Sequence, residues 1–197
     1  AKLKGRFGVT AITFVGDRGM IKGQHIADLA QQGLQYITAM TKPQMEKLLK
    51  QGTFHMDLFD QELAEVLTDE GLRYVLRRHP VRAQEVRDTR QAKLAMLQAQ
   101  VAKQNQYLTD HPRAHAQGAW QKLVARAKIL RIADWVELTI EERTITLTVK
   151  TSAQQEAAKL DGCYVLKTDL TPAQAPKELV HDRYKDLASV EQAFRTC

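Results

Sequence analysis

Cysteine is nearly absent from this chain. The two it has in 197 residues, Cys163 and Cys197, are too few for a disulfide framework, so a reducing cytosol is the expected compartment. No apolar run approaches the roughly 18–20 residues of a membrane span. No secretory apolar segment opens the chain, and no membrane partner is expected. There is no repeat and no low-complexity tract. The Gly-x-Gly-x-x-Gly and Gly-Lys-Ser/Thr phosphate loops are also missing, which counts against a nucleotide-binding α/β domain around Val15–Met20. What remains is an ordinary globular composition, 44% hydrophobic and 26% charged, long enough for one core or a core with a sizeable insertion.

Charge is unevenly placed. Between residues 71 and 131 there are thirteen Lys and Arg, Arg77, Arg78 and Arg82 among them, against only Glu85, Asp88 and Asp110. That is a local excess of +10 in a chain whose net charge is +6, so the remainder is acidic. Such a block points to a polyanionic partner, although Arg and Lys also make good solvated helix faces.

Both ends lack stop signals. The chain starts at Ala1 without a capping residue and ends inside the helical pattern of 190–197, with neither Gly nor Pro to close it. The expectation is a piece of a longer protein.

Apolar spacing gives the elements. Residues 9–16 predict a strand buried on both faces, with Asp17 where it stops. Residues 23–33 predict a helix stopped by Gly33, and 34–40 a second strand, which together make a βαβ unit with parallel strands. Gly16 and Gly19 suit a tight turn or a close backbone approach. A helix over 42–52 follows, then two strands around the Asp69-Glu70-Gly71 turn.

From about residue 81 a long helix carries Leu94, Leu97, Val101 and Leu108, with Gln104 interrupting the seam. A second helix carries Trp120, Leu123, Val124, Ala127 and Leu130, and the two predict an antiparallel helical hairpin. Residues 135–150 alternate as a β-hairpin. A short helix, a buried strand at 163–169 and a final helix with Leu187, Val190 and Phe194 as its apolar stripe close the chain. The fold class is therefore α/β, with sheet material at both ends bracketing an α+β insertion of about a hundred residues.

Asp17 ends a buried strand, where α/β architectures place ligand-binding groups. Glu191 flanks the apolar face of a helix expected on the same sheet. Two carboxylates brought together repel, and a divalent cation such as Mg²⁺ relieves that repulsion while completing its shell with phosphate oxygens. The plainer alternative is that Asp17 forms a turn or cap and Glu191 is solvated. His25, His55 and His79 show no ligand spacing. Asp169 ends a strand and begins a polar loop. Trp120 and Trp135 fit core stripes better than a base-stacking role, and Cys163 is expected to be buried and inert.

The segments TFVGDRGM (13–20), GLQYITAM (33–40), LDGCYVLKTDL (160–170) and YKDLASVEQAFR (184–195) resemble, in order, the DDE transposases of bacterial insertion sequences. The likeness is to the branch with a large insertion between the second Asp and the Glu, and it runs along essentially the whole chain. The resemblance implies an RNase H-like core, here partial: residues 1–45 as its first part, 46–150 as the insertion with its basic helical hairpin, and 151–197 as its second part. It implies metal-dependent cleavage and strand transfer at transposon ends, two Mg²⁺ or Mn²⁺ ions, transposon-end and target DNA as partners, a homodimer in the functional complex and a nucleoid-associated cytoplasmic location.

Residue by residue, Asp17 matches the second acid and Glu191 the last, both as catalytic metal ligands. Tyr184 matches a tyrosine that contacts DNA phosphate. The family's arginine falls at Leu187, leaving Arg183 or Lys185 to replace it, and its lysine falls one residue past Cys197. Arg18, Arg195, Arg77, Arg78 and Arg82 are further candidates for DNA contact. No aspartate precedes Asp17, so the first catalytic acid is missing and this chain alone is expected not to cleave DNA. The competing expectation is a non-catalytic DNA-binding or dimerising module acting through the basic insertion.

Overall fold

The computed structural model describes residues 8, 11–18, 20–21 and 23–195, without the side chains at 188, 191, 192, 194 and 195. The chain divides into two compact units, one of residues 1–79 with 163–197 and one of residues 80–162. These boundaries differ from the expected ones at 45/46 and 150/151. Residues 46–79 belong with the sheet because one of their two strands, Arg73–Arg78, pairs with a strand from the chain's last part, a nonlocal pairing that composition does not reveal.

The first unit is built on a five-stranded mixed sheet in the order β1-β2-β7-β4-β3, where β1 is Thr13–Gly16, β2 Gln35–Ala39, β3 Ala64–Leu67, β4 Arg73–Arg78 and β7 Cys163–Thr168. As expected, β1 and β2 run parallel, joined through α1 (Gly23–Gln31), which is followed by Gly33 at φ 62°. The remaining neighbours are antiparallel. One expectation fails here. β1 lies at the edge of the described sheet, with Phe14 38% exposed, so it is not buried on both faces.

Strand alternation sends Arg73, Val75 and Arg77 to one face of the sheet and Tyr74, Leu76 and Arg78 to the other. On the first face Val75, Ile37, Ala39 and Leu166 pack with Val180 of the last helix, α6 (Lys177–Arg195). On the second, Phe54 and Phe59 meet edge-to-face, with ring centroids 6.0 Å apart, and Phe54 meets Tyr74 at 6.2 Å. Phe59 belongs to a short 3₁₀ turn at Met56–Asp60 that packs on β4, and Phe54 lies between that turn and α2 (Lys42–Lys50) in sequence, a helix that opens on a capping box between Thr41 and Gln44.

Arg73 is fully buried. It pairs with Glu65 and donates to the carbonyls of Leu170 (3.2 Å) and Ala175 (2.6 Å), clamping the loop that leads into α6. A buried charge needs this density of partners to offset its desolvation.

The second unit packs the long helix α3 (Pro80–Asp110) and α4 (Ala116–Ile129) with the hairpin β5 (Val136–Glu141)–β6 (Thr144–Val149), followed by α5 (Thr151–Ala158). Leu97, Val101 and Leu108 from α3, Leu123 and Ala127 from α4, and Trp135 and Ile145 share one core. Trp120 is partly buried against it and donates to the Leu138 carbonyl at 2.8 Å, so both tryptophans are core residues. The polar residue that matters on α3 is Asn105. Its amide accepts from the Ile145 N–H (2.9 Å) and donates to the Ile145 carbonyl (2.8 Å). Arg143 closes the turn between the helices by donating to the carbonyls of Leu108, His111 and Ala114.

Among the described residues no helix is long and apolar enough to cross a membrane.

Candidate functional site

Asp17 follows the last residue of β1, and its position is fixed by groups from three other places. The Met20 N–H donates to its carbonyl at 3.1 Å, closing a tight turn. The Thr38 hydroxyl of β2 donates to the same carbonyl at 3.5 Å. The Tyr184 hydroxyl of α6 donates to its carboxylate Oδ1 at 2.8 Å. The strand can make this turn because Gly16 has no side chain: a Cβ there would sit 2.8 Å from Ile21 Cγ1, inside van der Waals contact. Gly19, the other glycine of the segment, lies outside the described residues.

Helix α6 brings Tyr184 to Asp17 because its inward row is Val180, Tyr184 and Leu187, at 4- and 3-residue spacing. Val180 is fully buried, and Tyr184 packs against the same sheet core. The expected stripe of Leu187, Val190 and Phe194 is therefore displaced. Val190 is 49% exposed and off the row, and the Phe194 side chain lies outside the described residues. Glu191 is the next position in that row. At seven residues past Tyr184 it stands about 10 Å further along the axis and within roughly 20° of the same direction. The side chains of Glu191 and Arg195 lie outside the described residues.

Arg18 is exposed and makes no ion pair with Asp17 among the described residues, so the carboxylate is held by a neutral phenol. Arg183 is half-buried and Lys185 exposed on α6. Arg77 reaches His181, and Arg78 pairs with Asp60 at 3.5 Å and donates from Nε to the buried Cys163 thiol at 3.4 Å. Arg82 belongs to the second unit, where it is exposed and paired with Glu85 at 2.8 Å. Asp169 Oδ1 accepts the Tyr36 backbone N–H at 2.9 Å, extending the β2–β7 pairing by a side chain.

Sequence reasoning missed His181. It is 5% exposed, stacks on Tyr164 with the rings 6.0 Å apart and faces Arg77 at 3.1 Å and Asp182 at 3.3 Å. Burial holds its pKa below the usual 6.5; the hydrogen bond with Asp182 works against that, and the positive charges of Arg77 and Lys185 reinforce it. The signal available in the sequence was its place one residue past Val180 on the helix that carries Tyr184.

As a cation site the described side chains fit in part. Asp17 is a hard oxygen donor with one carboxylate oxygen engaged by Tyr184 and the other without a partner among the described residues. No cluster of three or more His, Cys, Asp or Glu able to hold a metal is present among the described residues. Mg²⁺ typically takes only one or two carboxylates and keeps several waters, so a single carboxylate such as that of Asp17 is compatible chemistry.

No protein-family model, curated protein or solved structure matches the chain.

Proposed function

We propose that this chain is part of a DDE-type DNA transposase of RNase H-like fold, acting in the full-length protein by metal-dependent phosphodiester hydrolysis and strand transfer. The observation that supports this best is the hydrogen bond from Tyr184 to Asp17, which joins the end of β1 to the helix bearing Glu191 across 167 residues of sequence. Asp17 is rigid at its backbone and oriented at its carboxylate, as a metal-holding residue needs to be. Tyr184 keeps Oδ1 directed toward α6 and carries a hydroxyl that can turn to a DNA phosphate. Asp17 and Glu191 would hold Mg²⁺ or Mn²⁺, and a bound cation would activate a water or 3′-hydroxyl and stabilise the leaving oxygen. The test is Mn²⁺-dependent nicking of supercoiled DNA by the full-length gene product. Asp17→Ala and Glu191→Ala should each abolish nicking and leave DNA retention in a gel shift intact. Undiminished nicking in either variant overturns the reading.

A second reading, a non-catalytic DNA-binding or dimerising module, is favoured by the surface of the second unit. There Arg87, Lys103, Lys122, Lys128 and Arg131 are all exposed. In that case neutralising these residues lowers DNA affinity, while the full-length protein shows no metal-dependent nicking at all.

A further inference from the structure

Three arginines ride on β4, and two of them have carboxylate partners: Arg73 with Glu65 and Arg78 with Asp60. Arg77, between them and half-buried, is different. Its hydrogen bonds go to His181 Nε2 and to the Tyr164 hydroxyl, and no carboxylate pairs with it among the described residues. A guanidinium can only donate. His181 Nε2 is therefore the bare nitrogen, its Nδ1–H faces Asp182, and the imidazole is neutral. Lys185, one helical turn beyond His181, brings a second positive charge to the same place and is exposed. The result is a guanidinium and an ammonium on a neutral aromatic platform, two positive charges against the single carboxylate of Asp182, and rich in donors. That chemistry suits an anion and repels a metal.

The register places this cluster relative to Asp17. Arg77 lies opposite Tyr164, Leu166 lies opposite Ala39, and Gly16 lies opposite Thr38. Arg77 and Asp17 therefore sit at the same end and on the same face of the sheet, three strands apart. At about 4.8 Å per strand across and about 3.3 Å per residue along the two-residue offset between Val75 and Arg77, that is roughly 16 Å, or about five nucleotide rises of 3.4 Å.

We propose that Arg77 and Lys185, mounted on Tyr164 and His181, form a phosphate-binding subsite that holds the nucleic-acid backbone a few nucleotides from the phosphodiester at Asp17. The inference rests on the DNA-processing reading above. It assigns Arg77 and Lys185 one shared phosphate and gives His181 the role of a positioning residue.

The experiment measures binding of a short random-sequence DNA duplex to the 197-residue chain as a function of salt, for wild type, Arg77→Gln, Arg77→Lys and Lys185→Gln. Losing a phosphate contact lowers the salt slope by about one unit. Arg77→Gln and Lys185→Gln should each show that loss, and Arg77→Lys should largely restore it. Lys185 is exposed, so its variant reports even if Arg77→Gln fails to fold. A second readout is the His181 ring proton by NMR. Duplex should raise its titration midpoint in wild type, because an adjacent anion favours the protonated ring, and should do so less in Lys185→Gln. Wild-type binding with unchanged slopes in both neutralised variants overturns the subsite and leaves the DNA reading standing. Failure of the wild-type chain to bind duplex overturns the subsite, and the nicking assay on the full-length protein decides the DNA-processing reading separately.

Discussion

The Tyr184 hydroxyl donates to Asp17 Oδ1 at 2.8 Å, so the last helix and the edge strand are tied by a phenol–carboxylate hydrogen bond. Tyr184→Phe removes the donor and keeps the ring that packs against the sheet. A hydrogen bond to a charged group contributes about 1.5–3 kcal/mol when well shielded, and about 1 kcal/mol is expected at this partly exposed pair. Urea denaturation should show that loss with an unchanged m-value. A loss near zero in Tyr184→Phe would mean the contact is not formed in solution.

His181 makes stability depend on pH. Its folded pKa lies below the unfolded value, so the unfolded chain takes up the proton first. The contribution is fully present above about pH 6.5 and is lost as pH falls through the folded pKa. Unfolding free energy measured stepwise from neutral to mildly acidic pH should decline in wild type. His181→Gln should flatten that decline, and an identical decline in the variant would place the titration elsewhere.

Arg73 has no solvent to fall back on. Arg73→Met strands the half-buried Glu65 carboxylate and removes the donors to the Leu170 and Ala175 carbonyls. Breaking a buried pair from one side costs about 3–5 kcal/mol. The double variant Arg73→Met with Glu65→Gln should be more stable than Arg73→Met alone. If the second change brings no recovery, the stranded charge is not the source of the loss.

Gly16→Ala forces a methyl against Ile21, whose Cγ1 would be 2.8 Å away. Because the obstacle is a side chain, the turn can shift and the cost should stay at the lower end of the overpacking range, about 1 kcal/mol. Chemical shifts should move around Asp17 and Thr38 and remain still in β3. A thermal midpoint equal to wild type would show that the turn has spare room.

Local periodicity made most elements legible. The β5–β6 hairpin, the long α3 and the Gly33 stop follow from alternation, 3.6-residue spacing and glycine geometry. Residues whose meaning depends on distant partners were not legible. Arg73 counted as part of a basic surface block, yet it is core because Glu65 and a loop about a hundred residues away surround it. Gln104 drew attention as the break in the α3 seam, whereas its neighbour Asn105 makes the inward bonds. β1 reads as a strand buried on both faces because its residues are apolar, but burial depends on neighbours that composition does not count. Asp17 was legible as a strand-end acid; its hydrogen bond with Tyr184 was not, because it joins residues 167 apart in sequence.

The clamp at the start of α6 also sets the precision at its far end. From Val180 to Glu191 is about 16 Å of helix axis, so the helix acts as a lever with its fulcrum in the Arg73-held loop and the buried Val180. A tilt of about 5° there would carry position 191 by roughly 1.4 Å, and misplacement on the order of 1 Å is enough to cost about a hundredfold in a positioned reaction. Under the proposed function, a buried arginine at the hinge would thus help steady the tip together with the Tyr184–Asp17 bond.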